Sequence, residues 1–342
     1  MTNVAHDPED TLRLVVGLTG GGWHPAAWRE PGARPAELLT ARWWADQVRE
    51  AEEGLVDVVT IDDSLALQSS DPDGPDDRTD AVRGRLDAIV LAAHIAPLTR
   101  GIGIAPTVTT TLTEPFHVST QLATIDYVSR GRAAWLATVS YSRWEAAHAG
   151  RFDLPSPEVL RAEGAEHVEV VRRLWDSWED GAEIRDAERH RFIDRDKVHH
   201  IDFEGRRFRI KGPSITPRPP QGQPLVLATE PGLGADVVLE DLVVFLDDSE
   251  AAARRRRARL DAAHPWEPRA EVFAGTPSAL AGLLAERRDV RLLPAAIPHD
   301  LQAITRALSP ELRSRGLLAG DPPAGTLRER FGLGRPASRY AA

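Results

Sequence analysis

The residues able to do chemistry are few and far apart: His24 behind the Gly20–Gly22 turn and Trp23, the neighbours Asp62 and Asp63, the hydroxyls of Thr107 and Ser140, and the run Thr229-Glu230-Pro231-Gly232. A histidine in a glycine-rich loop is a potential acid–base group, which makes His24 the candidate catalytic residue. Adjacent carboxylates on an extended backbone point to opposite faces, so at most one of Asp62 and Asp63 reaches a shared site, and a proton-sharing dyad is excluded. The run Gly232-Leu-Gly234-Ala-Asp-Val237 approaches a dinucleotide fingerprint but carries Val237 where a third small residue belongs. What survives is a strand and glycine turn whose backbone N–H groups could cradle an anion.

Several chemistries drop out. The chain has no cysteine, which removes disulfides, thiolate metal sites and a thiol nucleophile. No histidine pair has metal-ligand spacing and no Gly-x-Ser-x-Gly elbow occurs, so no metal is expected and a serine hydrolase has no motif. The acidic loop Asp71–Asp80 fails as a calcium loop because Val82 stands at the twelfth position. Redox chemistry would need a bound cofactor.

The elements that must position these groups alternate. Apolar β-branched runs at Leu12–Leu18, Val56–Asp62, Gly101–Thr109 and Ala133–Ser140 are separated by helical spacing over 35–53, up to His94, and over Pro115–Val128. A long amphipathic helix over Pro157–Trp178 and a hairpin-like excursion over Lys197–Gly222 precede a fifth strand, Leu225–Thr229. A short helix, the strand Leu242–Leu246, a helix over Ser249–Ala263, the strand Arg269–Gly275, a helix over Pro277–Arg287 and the strand Val290–Ala295 complete eight β-then-α units. This predicts an α/β fold, a (β/α)8 TIM barrel over 12–295, with a helix and tail over 296–342 and the whole chain as one domain. In such barrels the site lies at the carboxyl ends of the strands, which selects His24, Asp62, Asp63, Thr107, Ser140, Thr229 and Glu230.

The 342 residues are 42% hydrophobic and 27% charged, enough for a substantial core. A formal charge of −10 repels a phosphate backbone, so nucleic acid is not an expected partner despite Arg254–Arg257. Met1–Thr11 has no signal-peptide pattern and no run of about 18 apolar residues occurs, so a cytoplasmic location away from membranes is expected.

Four segments resemble the luciferase-like monooxygenases, and within them the nitrilotriacetate branch: Gly22-Trp-His-Pro-Ala-Ala-Trp-Arg29, Thr107–His117 running on to Trp135, Leu174-Trp-Asp-Ser-Trp-Glu179, and Val198–Gly222. The resemblance implies a flavin barrel that oxygenates a small organic substrate with O2 and reduced FMN, supplied by a separate flavin reductase, in a homodimer. It places Asp62 and Thr107 near the flavin ring, Ser140 near the ring or ribityl chain, and Thr229, Glu230 and Gly232 at the phosphate. His24 and Trp23 would line the substrate side. Two residues depart from the pattern: Leu136 replaces a polar flavin contact, and Glu230 puts a carboxylate beside the expected phosphate. Like charges about 4 Å apart repel by roughly 4 kcal/mol at an effective dielectric near 20. The chain is also shortened between Phe245 and Glu271. These departures suggest an alternative, a flavin-poor, non-catalytic partner subunit. A deazaflavin-dependent oxidoreductase is a third reading.

Overall fold

The computed structural model describes residues 12–71, 74–318 and 325–341; Met1–Thr11, part of the acidic loop and part of the C-terminal tail lie outside them. In chain order the first strands and helices are β1 Arg13–Leu18, α1 Ala41–Glu53, β2 Val58–Ile61, α2 Ala88–Ile95, β3 Gly103–Thr109, α3 Pro115–Ser129, β4 Ala134–Thr138, α4 Arg143–His148 and α5 Pro157–Asp176. Two short antiparallel pairs follow: β5 Glu183–Asp186 with β6 Arg191–Ile193, and β7 Phe203–Glu204 with β8 Arg209–Ile210. Then come β9 Leu225–Ala228, β10 Val237–Val238, β11 Glu240–Leu246, α6 Glu250–Ala263, β12 Glu271–Gly275, α7 Pro277–Leu284 and β13 Asp289–Pro294. The chain closes with α8 His299–Ala303, a π-helical turn over Ile304–Leu308, α9 Ser309–Ser314 and α10 Leu327–Arg330.

The helices start where side chains can satisfy their free N–H groups. Thr40 accepts from the Trp43 amide, so α1 begins at Ala41 and residues 35–37 form only a 3-10 turn, later than the helical spacing over 35–53 predicts. Asp87 likewise starts α2 at Ala88, and the described residues of 62–87 contain no helix or strand. Helix α4, unanticipated from the sequence, is capped by Ser142.

Nine parallel strands form one curled sheet in the order β10-β9-β4-β3-β2-β1-β13-β11-β12. Two expectations fail here. Residues 229–236 contain no helix: the chain turns from β9 directly into β10. The strand Leu242–Leu246 lies between β13 and β12, out of chain order, and leaves β12 on the outer edge. Only Leu239 separates β10, which pairs with β9, from β11, which pairs with β13, so one extended segment touches both ends of the ladder. The turn 229–236 is too short for a helix layer, and the pairing of β11 is settled by distant strands rather than by its own sequence.

Inside the curl lies an apolar layer of Val15, Val58, Ala105, Leu136, Leu225 and Leu227, joined by Leu327 and Phe331 of the C-terminal segment. Leu327 approaches β3 so closely that a Cβ at Gly103 would sit 2.8 Å from its methyl groups, which explains the glycine. A capping box of Thr326 and Glu329 starts α10 at that spot.

Candidate flavin site

The carboxyl ends of β2, β3 and β4 open onto a cavity of about 430 Å³, within the range of small-molecule sites. Asp62, Thr107 and Ser140 all line it. Asp63 lines it as well, against the expectation that at most one of the two aspartates reaches a shared site, but their partners differ: Asp62 meets Thr19 and Arg85, whereas Asp63 accepts from the Ala88 and Ser64 amides and serves the start of α2. Burial pushes both carboxyls up from the ordinary range, opposed at Asp62 mainly by the Arg85 guanidinium and at Asp63 by its backbone donors.

Thr107 stands beside Leu136 in the β3–β4 register. It is 7% exposed, and its hydroxyl is buried without a hydrogen-bond partner among the described residues. A buried orphan hydroxyl is costly unless a ligand satisfies it. Ser140 and Ser64 both bond the Glu145 carboxylate, contributed by α4, which closes one side of the cavity.

The other predicted residues lie apart from this cavity. Glu230 accepts from the Tyr141 hydroxyl at 2.7 Å and from Arg161 Nε at 3.2 Å. The neighbouring carboxylate pushes the Tyr141 phenol, already raised by partial burial, up to about 12. Gly232 packs toward Arg161 with a positive φ of 93°. Thr229 follows β9 at the start of this turn.

His24 is 1% exposed, with its ring edge-on to Phe245 and Trp266. Its Nδ1 accepts from the Ala26 amide, so Nε2 carries the proton and donates to Asp261 at 3.1 Å. Burial lowers its pKa, with the Asp261 hydrogen bond opposing. Both ring nitrogens are thus engaged, and His24 lines neither the cavity above nor the smaller one beside it. Trp23 donates its indole N–H to the Gly17 carbonyl and lies against Arg291. Glu145, Tyr141, Arg161 and Arg85 were not foreseen; only Arg161 carried a hint, next to the buried Leu160 stripe of α5.

A family model for luciferase-like monooxygenases matches residues 23–330. The chain belongs to that family. It is 26% identical to N-acetyl-S-(2-succino)cysteine monooxygenase of Bacillus subtilis (strain 168), over 96% of this chain and 98% of that protein. It is 35% identical to nitrilotriacetate monooxygenase component A of Aminobacter aminovorans, over 60% of this chain and 47% of that one, about half the relative's length. To a pristinamycin IIA synthase subunit of Streptomyces pristinaespiralis it is 33% identical, over 86% and 90%. The fold matches that of EDTA monooxygenase from Chelativorans sp. BNC1 with a TM-score of 0.79 at 20% identity, covering 95% and 99% of the two chains. Family membership makes flavin-dependent monooxygenation the activity class of this luciferase-like chain.

The residues present fit a flavin unevenly. At the carboxyl ends of β2 to β4, a buried hydroxyl without a partner among the described residues lines a cavity of suitable size. At the turn after β9, the nearby cation and phenol are already held by Glu230, so the groups that would receive a phosphate are taken. No helix among the described residues is long and apolar enough to cross a membrane.

Proposed function

We propose that this luciferase-like chain oxygenates a small organic substrate with O2 and reduced FMN delivered by a separate flavin reductase. The observation that carries this reading is the Thr107 hydroxyl, without a partner among the described residues, lining the cavity at the ends of β2–β4. Asp62 and Thr107 border the ring, Ser140 the ring or ribityl chain, and Thr229 to Gly232 the far end of the cofactor. When bound, the flavin supplies the electrons and the site of oxygen chemistry. The chain's own part is to orient the ring with the Thr107 and Ser140 hydroxyls and to exclude water with Val108 and Val139. His24 is a positioning residue here, pinning the β1 loop to Asp261 on α6. The curled sheet is read as a (β/α)8-type barrel, in one cytoplasmic 342-residue unit that forms a homodimer. Titration with oxidised FMN, followed by oxygen uptake with NADH and a flavin reductase, tests this; absence of flavin binding in both redox states removes it. The same titration with a deazaflavin separates the two cofactors.

A second reading places the chain as a partner subunit of a flavin monooxygenase, with the flavin held elsewhere. Glu230 on Arg161 and Tyr141, Leu136 in the sheet interior, and likeness to a protein named as one subunit of a synthase favour it. Oxygenase turnover by this chain alone with a reductase would end it.

A further inference from the structure

Arg85 is a partly buried cation with few partners among the described residues. Its side chain is 19% exposed, its sole ion-pair partner among the described residues is Asp62 at 3.5 Å, and its Nε is buried without an acceptor there. A guanidinium carries five N–H donors in a fixed fork. Arg132 and Arg256 show how fully the molecule can saturate such groups. Arg132 donates to the carbonyls of Ser129, Ile102, Ala96 and Thr99 and to the Thr99 hydroxyl. Arg256 reaches Asp247, Asp300 and the Leu246 carbonyl. Arg330 is also left short of acceptors, but it lies by Asp57, at the end of the sheet where β2 begins.

Arg85 differs in facing open space. It lines a second cavity of about 260 Å³, which shares Asp62 with the first and is walled by Trp28, Trp44, Leu38 and Val82. The indole N–H groups of Trp28 and Trp44 are already spent on the Asp80 and Leu38 carbonyls, so these residues offer apolar surface rather than donors. Arg83, also in the wall, is held by Asp76.

We propose that this second cavity binds a small organic carboxylate, its anion on the free N–H groups of Arg85 and its apolar body against Trp28, Trp44 and Leu38. A carboxylate accepts two parallel N–H bonds from a guanidinium fork. Asp62, at the outer limit of hydrogen-bond range, leaves most of that fork free. A neutral ligand would leave the donors unmet, and an ammonium would be repelled by Arg85. Identification of the occupant as the substrate rests on the oxygenase reading, since Asp62 is the wall common to both cavities; the binding itself does not.

The test is calorimetry on the full-length protein with phenylacetate, its neutral isostere phenylacetamide, phenethylamine and inorganic phosphate. Phenylacetate is expected to bind about tenfold tighter than the amide and to perturb tryptophan fluorescence, while the amine binds weakest. Arg85→Gln abolishes the preference for acid over amide but keeps amide affinity, and Arg85→Lys retains part of the preference. Equal affinity for acid and amide in the wild type overturns the proposal, as does an undiminished preference in Arg85→Gln. Phosphate competing as well as phenylacetate also overturns it, because the apolar wall would then contribute nothing. The wild-type ratio and Arg85→Lys keep the test decisive if Arg85→Gln fails to fold. Flavin titration of the same sample separates the two readings: carboxylate binding without flavin binding removes the oxygenase and leaves this site, and flavin binding without acid preference does the reverse.

Discussion

The two halves of the sheet treat buried polar groups in opposite ways. Around β2 and β3 the fold leaves donors open: the Thr107 hydroxyl and the Arg85 Nε have no partner among the described residues, and both side chains line cavities. Around β9 to β13 it fills most of them, with His264 Nδ1 an exception, just as Arg132 is a saturated exception beside β3. Arg291 grips Asp241 through two N–H bonds and reaches Thr60, Arg256 is saturated by Asp247, Asp300 and Leu246, and His24 uses both ring nitrogens. Even Glu230, at the turn expected to take phosphate, is matched by Arg161 and Tyr141. Open buried donors cost stability and persist where a ligand can repay them, whereas saturated ones brace a sheet whose strand order is irregular.

The largest effect should come from breaking a brace. Arg256→Met strands the fully buried Asp300 carboxylate and is expected to cost about 3–5 kcal/mol in urea unfolding. A loss below about 1 kcal/mol would show that the braced half is not braced. His167, packed against Trp135 with its Nε2 unpartnered among the described residues, gives a pH-dependent effect of a different kind. Burial lowers its pKa from 6.5 to about 3. Above pH 6.5 it is neutral in both folded and unfolded states and contributes no slope. As pH falls from 6.5 toward 3 the unfolded chain takes a proton that the fold refuses, and stability drops by up to about 1.4 kcal/mol per pH unit. Urea midpoints of His167→Gln should therefore fall less steeply than wild type between about pH 6 and 4; parallel curves would refute the burial argument.

Glu230→Gln sharpens the contrast at the ligand end. By freeing Arg161, it should raise the FMN-to-riboflavin affinity ratio about tenfold, well short of the unscreened limit because Arg161 is 40% exposed. An unchanged ratio would mean that no phosphate visits that turn. The smallest effect belongs to the open half: Thr107→Val should leave stability unchanged or raise it by about 1 kcal/mol while weakening flavin binding about fivefold. Destabilisation comparable to Arg256→Met would erase the distinction between the halves.

Much of the first half was legible in the sequence. The strands containing Val58–Ile61 and Gly103–Thr109 declare themselves by apolar β-branched runs, and the position of Asp62, Thr107 and Ser140 at strand ends brings them to one cavity. Strand alternation did not keep Asp62 and Asp63 apart, since both line that cavity just beyond the end of β2. The second half was less legible: the region 229–246 reads as strand, helix, strand, yet forms a turn and one nearly continuous strand.

By itself the sequence determined the alternation of strands and helices, the family, and which hydroxyls and carboxylates stand at strand ends, because periodicity and capping act over a few residues. Only the tertiary structure decided that β11 lies beside β13, that Glu230 is met by Arg161 and Tyr141, that His24 is locked to Asp261, and that Arg85 lies beside two tryptophans with Asp62 as its one ion-pair partner among the described residues. Those outcomes depend on which distant groups arrive within about 3 Å of one another. Whether a buried donor is saturated or waiting for a ligand is a property of its neighbours in space, and residue type and spacing do not encode it.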